Sequence, residues 1–148
     1  MNERADWLKV DALLCLGEGH LRDEIEAAAA AGGARLTTFV PYDLSARAVA
    51  RATSATGFVF LQYTPGPTGL RDSTDPTLTT RLAHLRAAGV TAPILTGIGL
   101  STQDQARHAL DAGANGVVIG SKTVQKSIEG HAALEDYLNE MRAVLNGS

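Results

Sequence analysis

Short apolar runs alternate with longer amphipathic segments along almost the whole chain, and glycine or proline closes most of the runs. That rhythm restricts the fold more than any other feature. A run apolar at nearly every position suits a strand covered on both faces, as in a parallel sheet, and parallel neighbours need a crossover between them. Strands are expected at 11–16, 35–40, 57–63, 93–99 and 116–121. The intervening segments carry apolar residues at helical spacing, which predicts helices over 20–31, 44–53, 77–88 and 101–112. A last helical segment, 122–145, is expected to break at Gly130, and Gly32-Gly33 supplies a left-handed end to the first helix.

Five strands joined by helices give an α/β architecture with a parallel sheet. Spacing alone does not say whether such a sheet closes. Five strands are too few for an eight-stranded barrel, so the chain forms an open sheet or part of a barrel. No repeat, linker or low-complexity tract divides the 148 residues, and 1–148 reads as one domain. The segment 64–76, rich in Pro and Gly, exceeds a minimal strand–helix connection and suits a lid or ligand clamp.

Charge and composition remove several classes of function. A formal net charge of −3 leaves no basic footprint for nucleic acid, and 5% aromatic residues offer few stacking platforms. No apolar stretch approaches the length of a membrane span, and the polar start Met1-Asn2-Glu3-Arg4 lacks a following apolar region. A cytoplasmic protein is expected. Cys15, the single cysteine, falls in an apolar run and reads as a buried side chain.

The chemistry concentrates where the last two apolar runs end. Pro93-Ile94-Leu95-Thr96-Gly97-Ile98-Gly99 and Gly116-Val117-Val118-Ile119-Gly120-Ser121 each lead from a strand through glycine into a helix. Glycine there lets backbone approach a ligand closely, and a helix start offers free N–H groups at its positive end. Taken singly, Gly99 and Gly120 are ordinary turn residues. On consecutive junctions, with Ser121 opening a helix, they point to a phosphorylated small molecule. Lys122 is placed equally well at the phosphate or in solvent. Ser101 with Asp104 resembles a capping box. His20, His84, His108 and His131 show no paired ligand spacing and read as surface residues, so no metal site is expected. No P-loop pattern, Ser-His-Asp set or cysteine cluster supports another chemistry.

Three segments in order resemble the carboxyl-terminal half of the tryptophan synthase alpha subunit family. Phe58-Val59-Phe60-Leu61 runs into Tyr63-Thr64-Pro65-Gly66-Pro67-Thr68-Gly69, where the family has Ser-Arg-x-Gly-Val-Thr-Gly. Pro93-Ile94-Leu95-Thr96-Gly97-Ile98-Gly99-Leu100-Ser101, then Gln105-Ala106, parallels Pro-x-Leu-x-Gly-Phe-Gly-Ile-Ser and a helix with Gln-Val. Ala112-Gly113-Ala114-Asn115-Gly116-Val117-Val118-Ile119-Gly120-Ser121 parallels Ala-Gly-Ala-x-Gly-x-Ile-x-Gly-Ser.

The resemblance implies a parallel five-stranded partial TIM (β/α) barrel, strands four to eight of the family barrel. It implies the lyase reaction of tryptophan biosynthesis, which cleaves indole-3-glycerol phosphate to indole and glyceraldehyde 3-phosphate. It also implies Gly69, Gly99, Gly120 and Ser121 at the phosphate, Phe60 and Ile98 on the indole side, and Thr68 on the loop after the strand. No cofactor is implied in this chain; pyridoxal phosphate belongs to the family's beta subunit, an implied partner.

The departures are specific. Thr64 stands where the family has Arg, Pro67 where it has Val, and Ile98 where it has an aromatic residue. The family's catalytic acids come from early strands that find no counterpart here, so the chain alone is expected to be inactive, since proton transfer needs placed carboxyl groups. Glu18 and Asp43, after the first and second strands, are candidate replacements; both also suit solvated residues at helix starts. Open edges would favour a homo-oligomer or a complementary half-barrel. The other readings are a non-catalytic phosphate-binding or subunit-interaction module, and another phosphate-binding barrel enzyme such as a prenyl- or thiamine-type phosphate synthase.

Overall fold

A computed structural model describes residues 11–16, 20–66 and 73–147. The elements alternate as the apolar rhythm predicts: β1 (Ala12–Cys15), α1 (His20–Ala31), β2 (Arg35–Val40), α2 (Ala46–Ala52), β3 (Val59–Gln62), α3 (Leu78–Ala87), β4 (Ile94–Gly97), α4 (Gln103–Asp111), β5 (Gly116–Val118), α5 (Ser121–Glu129) and α6 (His131–Leu145). β2 matches its expected run, and the other four strands are shorter than theirs by one to three residues at one or both ends. Gly130, with φ 128°, separates α5 from α6 at the expected position.

All the described strands are parallel, and their order in the sheet is their order in the chain, β1-β2-β3-β4-β5. A doubly wound sheet reverses direction partway and receives helices on both faces. Strict sequential addition is instead the progression of a (β/α) barrel, and five strands make a partial one.

The two faces of the sheet are built differently. Alternate residues Val40, Val59, Leu61, Tyr63 and Ile94 are fully buried within the main apolar cluster, together with Leu78 and Leu85 of α3 and Ala106 and Ala109 of α4. On the other, inner face the register aligns Phe39, Phe60, Leu95 and Gly116 in one row across four strands. The Phe39 and Phe60 rings meet edge to face at 5.7 Å between centroids. This face is only partly covered: Leu14 is 36% and Leu16 64% exposed. Cys15, expected to be buried, is partly exposed, because β1 has a strand neighbour on one side only among the described residues.

A buried charge pins the centre of the sheet. Arg81 on α3 donates to the carbonyls of Gln62 (2.7 Å) and Tyr63 (2.9 Å) at the end of β3, and to the Asp75 carboxylate. Its guanidinium also stacks on the Tyr42 ring, 4.2 Å from the centroid. Asp75 accepts further bonds from the Thr77 backbone N–H (2.9 Å) and hydroxyl (2.8 Å). Burial alone pushes the Asp75 carboxyl up, but the donors from Thr77 and Arg81 outweigh it and hold it below the ordinary carboxylate value. The Tyr63 phenol, raised chiefly by burial, closes the network by accepting the Asp75 N–H and meeting His108 Nδ1 at 3.2 Å. His108, expected on the surface, is therefore a bonded, half-buried residue; His84 and His131 are exposed.

Because the Asp75 carboxyl is depressed in the folded state, its contribution to stability is complete above the unfolded value of about 3.9 and is lost as pH falls through the folded value. Urea unfolding is expected to show that acid-side loss in the wild type and a smaller one in Asp75→Asn. Removing one member of a buried pair costs about 3–5 kcal/mol, so Asp75→Ala is expected to lower the unfolding free energy at pH 7 by that order.

Candidate functional site

At the carboxyl ends of β3, β4 and β5 the chain encloses a hollow of about 220 Å³, lined by Phe60, Ile98, Gly99, Val118, Gly120 and Ser121, with Leu16 and Leu100. Five of the residues singled out in the sequence thus meet at one place: Phe60, Ile98, Gly99, Gly120 and Ser121. Asp43 is exposed in the turn after β2 and does not line the hollow. Glu18, Thr68 and Gly69 fall outside the described residues. Lys122 turns elsewhere: its Nζ bonds Gln125 Oε1 at 3.0 Å, and it lines a separate groove with Lys126 and Tyr137.

The turn after β4 is held in an unusual conformation. Ile98 and Gly99 have φ of 68° and 84°, so a β-branched residue occupies the left-handed region, a costly placement. The start of the loop after β3 clamps it. Thr64 donates from its backbone N–H (3.2 Å) and its hydroxyl (3.1 Å) to the Ile98 carbonyl, and Tyr63 N–H bonds the Gly97 carbonyl. A Cβ on Gly99 would lie 2.0 Å from Thr64 Oγ1. The Thr that replaces the family's Arg is a buried part of this turn.

The second junction is open. Gly120 caps α5 without a side-chain bond to the helix, a Cβ there would meet nothing within 4 Å, and both Gly120 and Ser121 are exposed. The first N–H groups of α5 are the orphan donors of a helix start. Beneath, Gly97 and Gly116 pack closely on their neighbours: a Cβ at Gly97 would stand 2.5 Å from the Val118 carbonyl oxygen and 2.8 Å from Phe60 Cε2, and one at Gly116 2.8 Å from Leu95 Cδ2. The hollow therefore has an aromatic and aliphatic floor and a rim of glycine backbone. Among the described residues no carboxylate lines it, and no three His, Cys, Asp or Glu side chains gather to hold a metal ion.

Two features escaped the sequence reading. The capping box of α4 is Thr102 with Gln105, one residue beyond the expected Ser101 and Asp104. Gln is the stronger partner in that motif, a signal available in Thr-x-x-Gln. The Asp75–Arg81 pair had no comparable local mark.

The tryptophan synthase alpha chain model matches residues 21–147. The chain belongs to that family. Curated relatives include the alpha chain of Gloeobacter violaceus, 41% identical over 90 residues, and that of Cyanothece sp., 31% identical over 129 residues. The two alignments take in 61% and 83% of this chain but 32% and 48% of those proteins, so the chain spans at most about half the length of these relatives. A mutant tryptophan synthase alpha-subunit from Pyrococcus furiosus superposes with a TM-score of 0.75 over 97% of this chain and 60% of its own, at 24% identity. An alpha2beta2 tryptophan synthase complex from the same organism gives 0.72 at 23% identity. These structural likenesses bear on the fold, the partial barrel described above.

The two glycines differ in what they tolerate. Gly99→Ala is expected to cost about 2–5 kcal/mol, combining about 1–2 for the left-handed backbone with about 1–3 for the overlap on Thr64. Gly120→Ala is expected to cost less than about 1 kcal/mol, with open space around the new methyl. Urea unfolding of the two variants side by side measures the contrast.

Proposed function

We propose that this chain binds a phosphorylated small molecule in the hollow, as the phosphate-binding part of a tryptophan synthase alpha-type protein of tryptophan biosynthesis. The observation that carries the reading is the convergence of the left-handed Gly99 turn and the uncapped α5 start on one space. The anion meets backbone N–H groups at the rim, where helix starts stabilise negative charge. Gly99, Gly120 and Ser121 supply that rim; the family resemblance assigns Gly69 to the phosphate as well, and Thr68 to the substrate pocket. Phe60 and Ile98 provide the apolar wall for an indole ring.

Family membership supports indole-3-glycerol phosphate as the substrate class, with release of indole and glyceraldehyde 3-phosphate. Carbon–carbon cleavage needs carboxyl groups that move protons at the ring, and the described lining has none. The chain alone is accordingly a binding unit, and the lyase reaction requires acids contributed by other strands. It takes no cofactor of its own; pyridoxal phosphate belongs to a beta-subunit partner. Leu14 and Leu16 on the inner face, and Leu21 and Ile25 on α1, leave apolar surface beside an edge strand. Such surface favours association with a second copy or with complementary strands.

Titration calorimetry with glycerol phosphate is expected to show binding that Gly120→Asp abolishes, because the variant places negative charge and bulk where backbone meets the anion. Unchanged binding would move the site elsewhere. The purified chain is expected to show no indole release above background and to scatter light as more than a monomer. Turnover lost in Glu18→Gln or Asp43→Asn would instead assign the chemistry to those acids.

A further inference from the structure

Gln105 is fully buried, and its single amide reaches four backbone groups. Its Oε1 accepts the N–H groups of Ser101 (2.8 Å) and Thr102 (3.1 Å), while its Nε2 donates to the carbonyls of Ser73 (2.9 Å) and Gly99 (3.4 Å). Its Oε1 also accepts the Ser101 hydroxyl (3.4 Å), and the partners fix which end is oxygen. The capping box accounts only for the bonds exchanged with Thr102. The others leave the helix, for the turn after β4 and for Ser73 on the far side of residues 67–72. Glutamate completes a capping box equally well but has no donor when ionised. The two donated bonds are therefore what this position demands of glutamine.

Their effect falls on the peptide between Gly99 and Leu100. In a trans peptide the N–H opposes the C=O, so drawing the Gly99 carbonyl toward Gln105 turns the Leu100 N–H to the opposite side. Gly99 and Leu100 line the hollow, whereas Gln105 does not. The N–H groups of Ser101 and Thr102 are meanwhile committed to Gln105. We infer that Gln105 is a positioning residue for the anion rim: it fixes the Gly99–Leu100 peptide so that the Leu100 N–H serves the bound anion, and fastens that peptide to Ser73. The inference rests on the phosphate reading of the hollow and adds a residue that never touches the ligand.

Two variants separate this role from simple helix capping. Gln105→Glu preserves the capping box but loses both donors when ionised; Gln105→Met removes the amide without adding charge. The probe is inorganic sulfate, whose charge is constant between pH 5 and 8, followed by amide NMR shifts at Gly99, Leu100, Gly120 and Ser121. Wild type is expected to respond with similar affinity at both pH values. Gln105→Met is expected to bind about tenfold more weakly throughout, the scale of one lost hydrogen bond. Gln105→Glu is expected to bind at least about tenfold more weakly at pH 8 and to recover toward wild type at pH 5. There a buried carboxyl, its pKa raised by desolvation, carries a proton and donates again. Unchanged far-ultraviolet circular dichroism between the two pH values shows that the recovery is not refolding. If Gln105→Met does not fold, the Gln105→Glu pH pair decides alone. A wild-type protein that ignores sulfate and glycerol phosphate overturns the phosphate reading and this inference together. A wild type that responds, with variants that bind within twofold of it, overturns this inference alone and reduces Gln105 to a cap.

Discussion

The guanidinium of Arg81 sits where the sheet would otherwise be hardest to finish. A parallel strand that ends inside a protein leaves carbonyls pointing at a loop, and buried carbonyls need donors. Arg81 covers those of Gln62 and Tyr63 at once, and a buried cation in turn needs an anion, which Asp75 provides from the far end of the loop. One side chain thereby joins the end of β3 to the beginning of α3. Everything on the rim is placed relative to β3: Thr64, which grips the β4 turn, follows it by two residues.

The rim is accordingly assembled from both ends of a single connection. Its near end is set by Gln62, which donates to the carbonyls of Thr64 and Gly66 and accepts the Tyr42 N–H. Its far end is set by Asp75 and by the bond from Gln105 to Ser73. The left-handed pair Ile98 and Gly99 lies between these anchors. A strained backbone persists when its surroundings over-determine it, and here Thr64 and Gln105 act on adjacent peptides.

The elements were legible in the sequence because parallel strands buried on one side and lined with glycine on the other leave a strong local signal. Val59 and Leu61, or Val117 and Val118 ahead of Gly120, announce themselves without tertiary information. The gathering of Phe60, Ile98, Gly99, Gly120 and Ser121 was legible for the same reason: Phe60 lies in β3 and the others follow β4 or β5 at the carboxyl ends of neighbouring parallel strands. What was not legible depends on distance along the chain. Asp75 and Arg81 look like any loop acid and helix base, and Tyr63 and His108 are 45 residues apart. Cys15 misled because an apolar neighbourhood in sequence says nothing about whether the strand lies at an edge. The capping box was displaced by one residue because Ser and Thr are adjacent there and only the longer Gln side chain selects between them.

The missing methyl groups of Gly97 and Gly116 give the hollow a property of their own. Phe60 lies over Gly97, and Leu95 over Gly116, so each large side chain occupies the volume that its neighbour gives up. Cores accept exchanges of volume between touching positions far better than changes at one of them. At Gly97, though, the volume is bounded by the backbone of Val118 as well as by the Phe60 ring. A methyl added at Gly97 would meet the Val118 carbonyl oxygen at 2.5 Å, closer than the Phe60 ring at 2.8 Å, so backbone sets the limit there, whereas a smaller residue at position 60 widens the space. A lineage adapting this pocket to a wider or narrower ring would therefore vary position 60 while keeping glycine at 97.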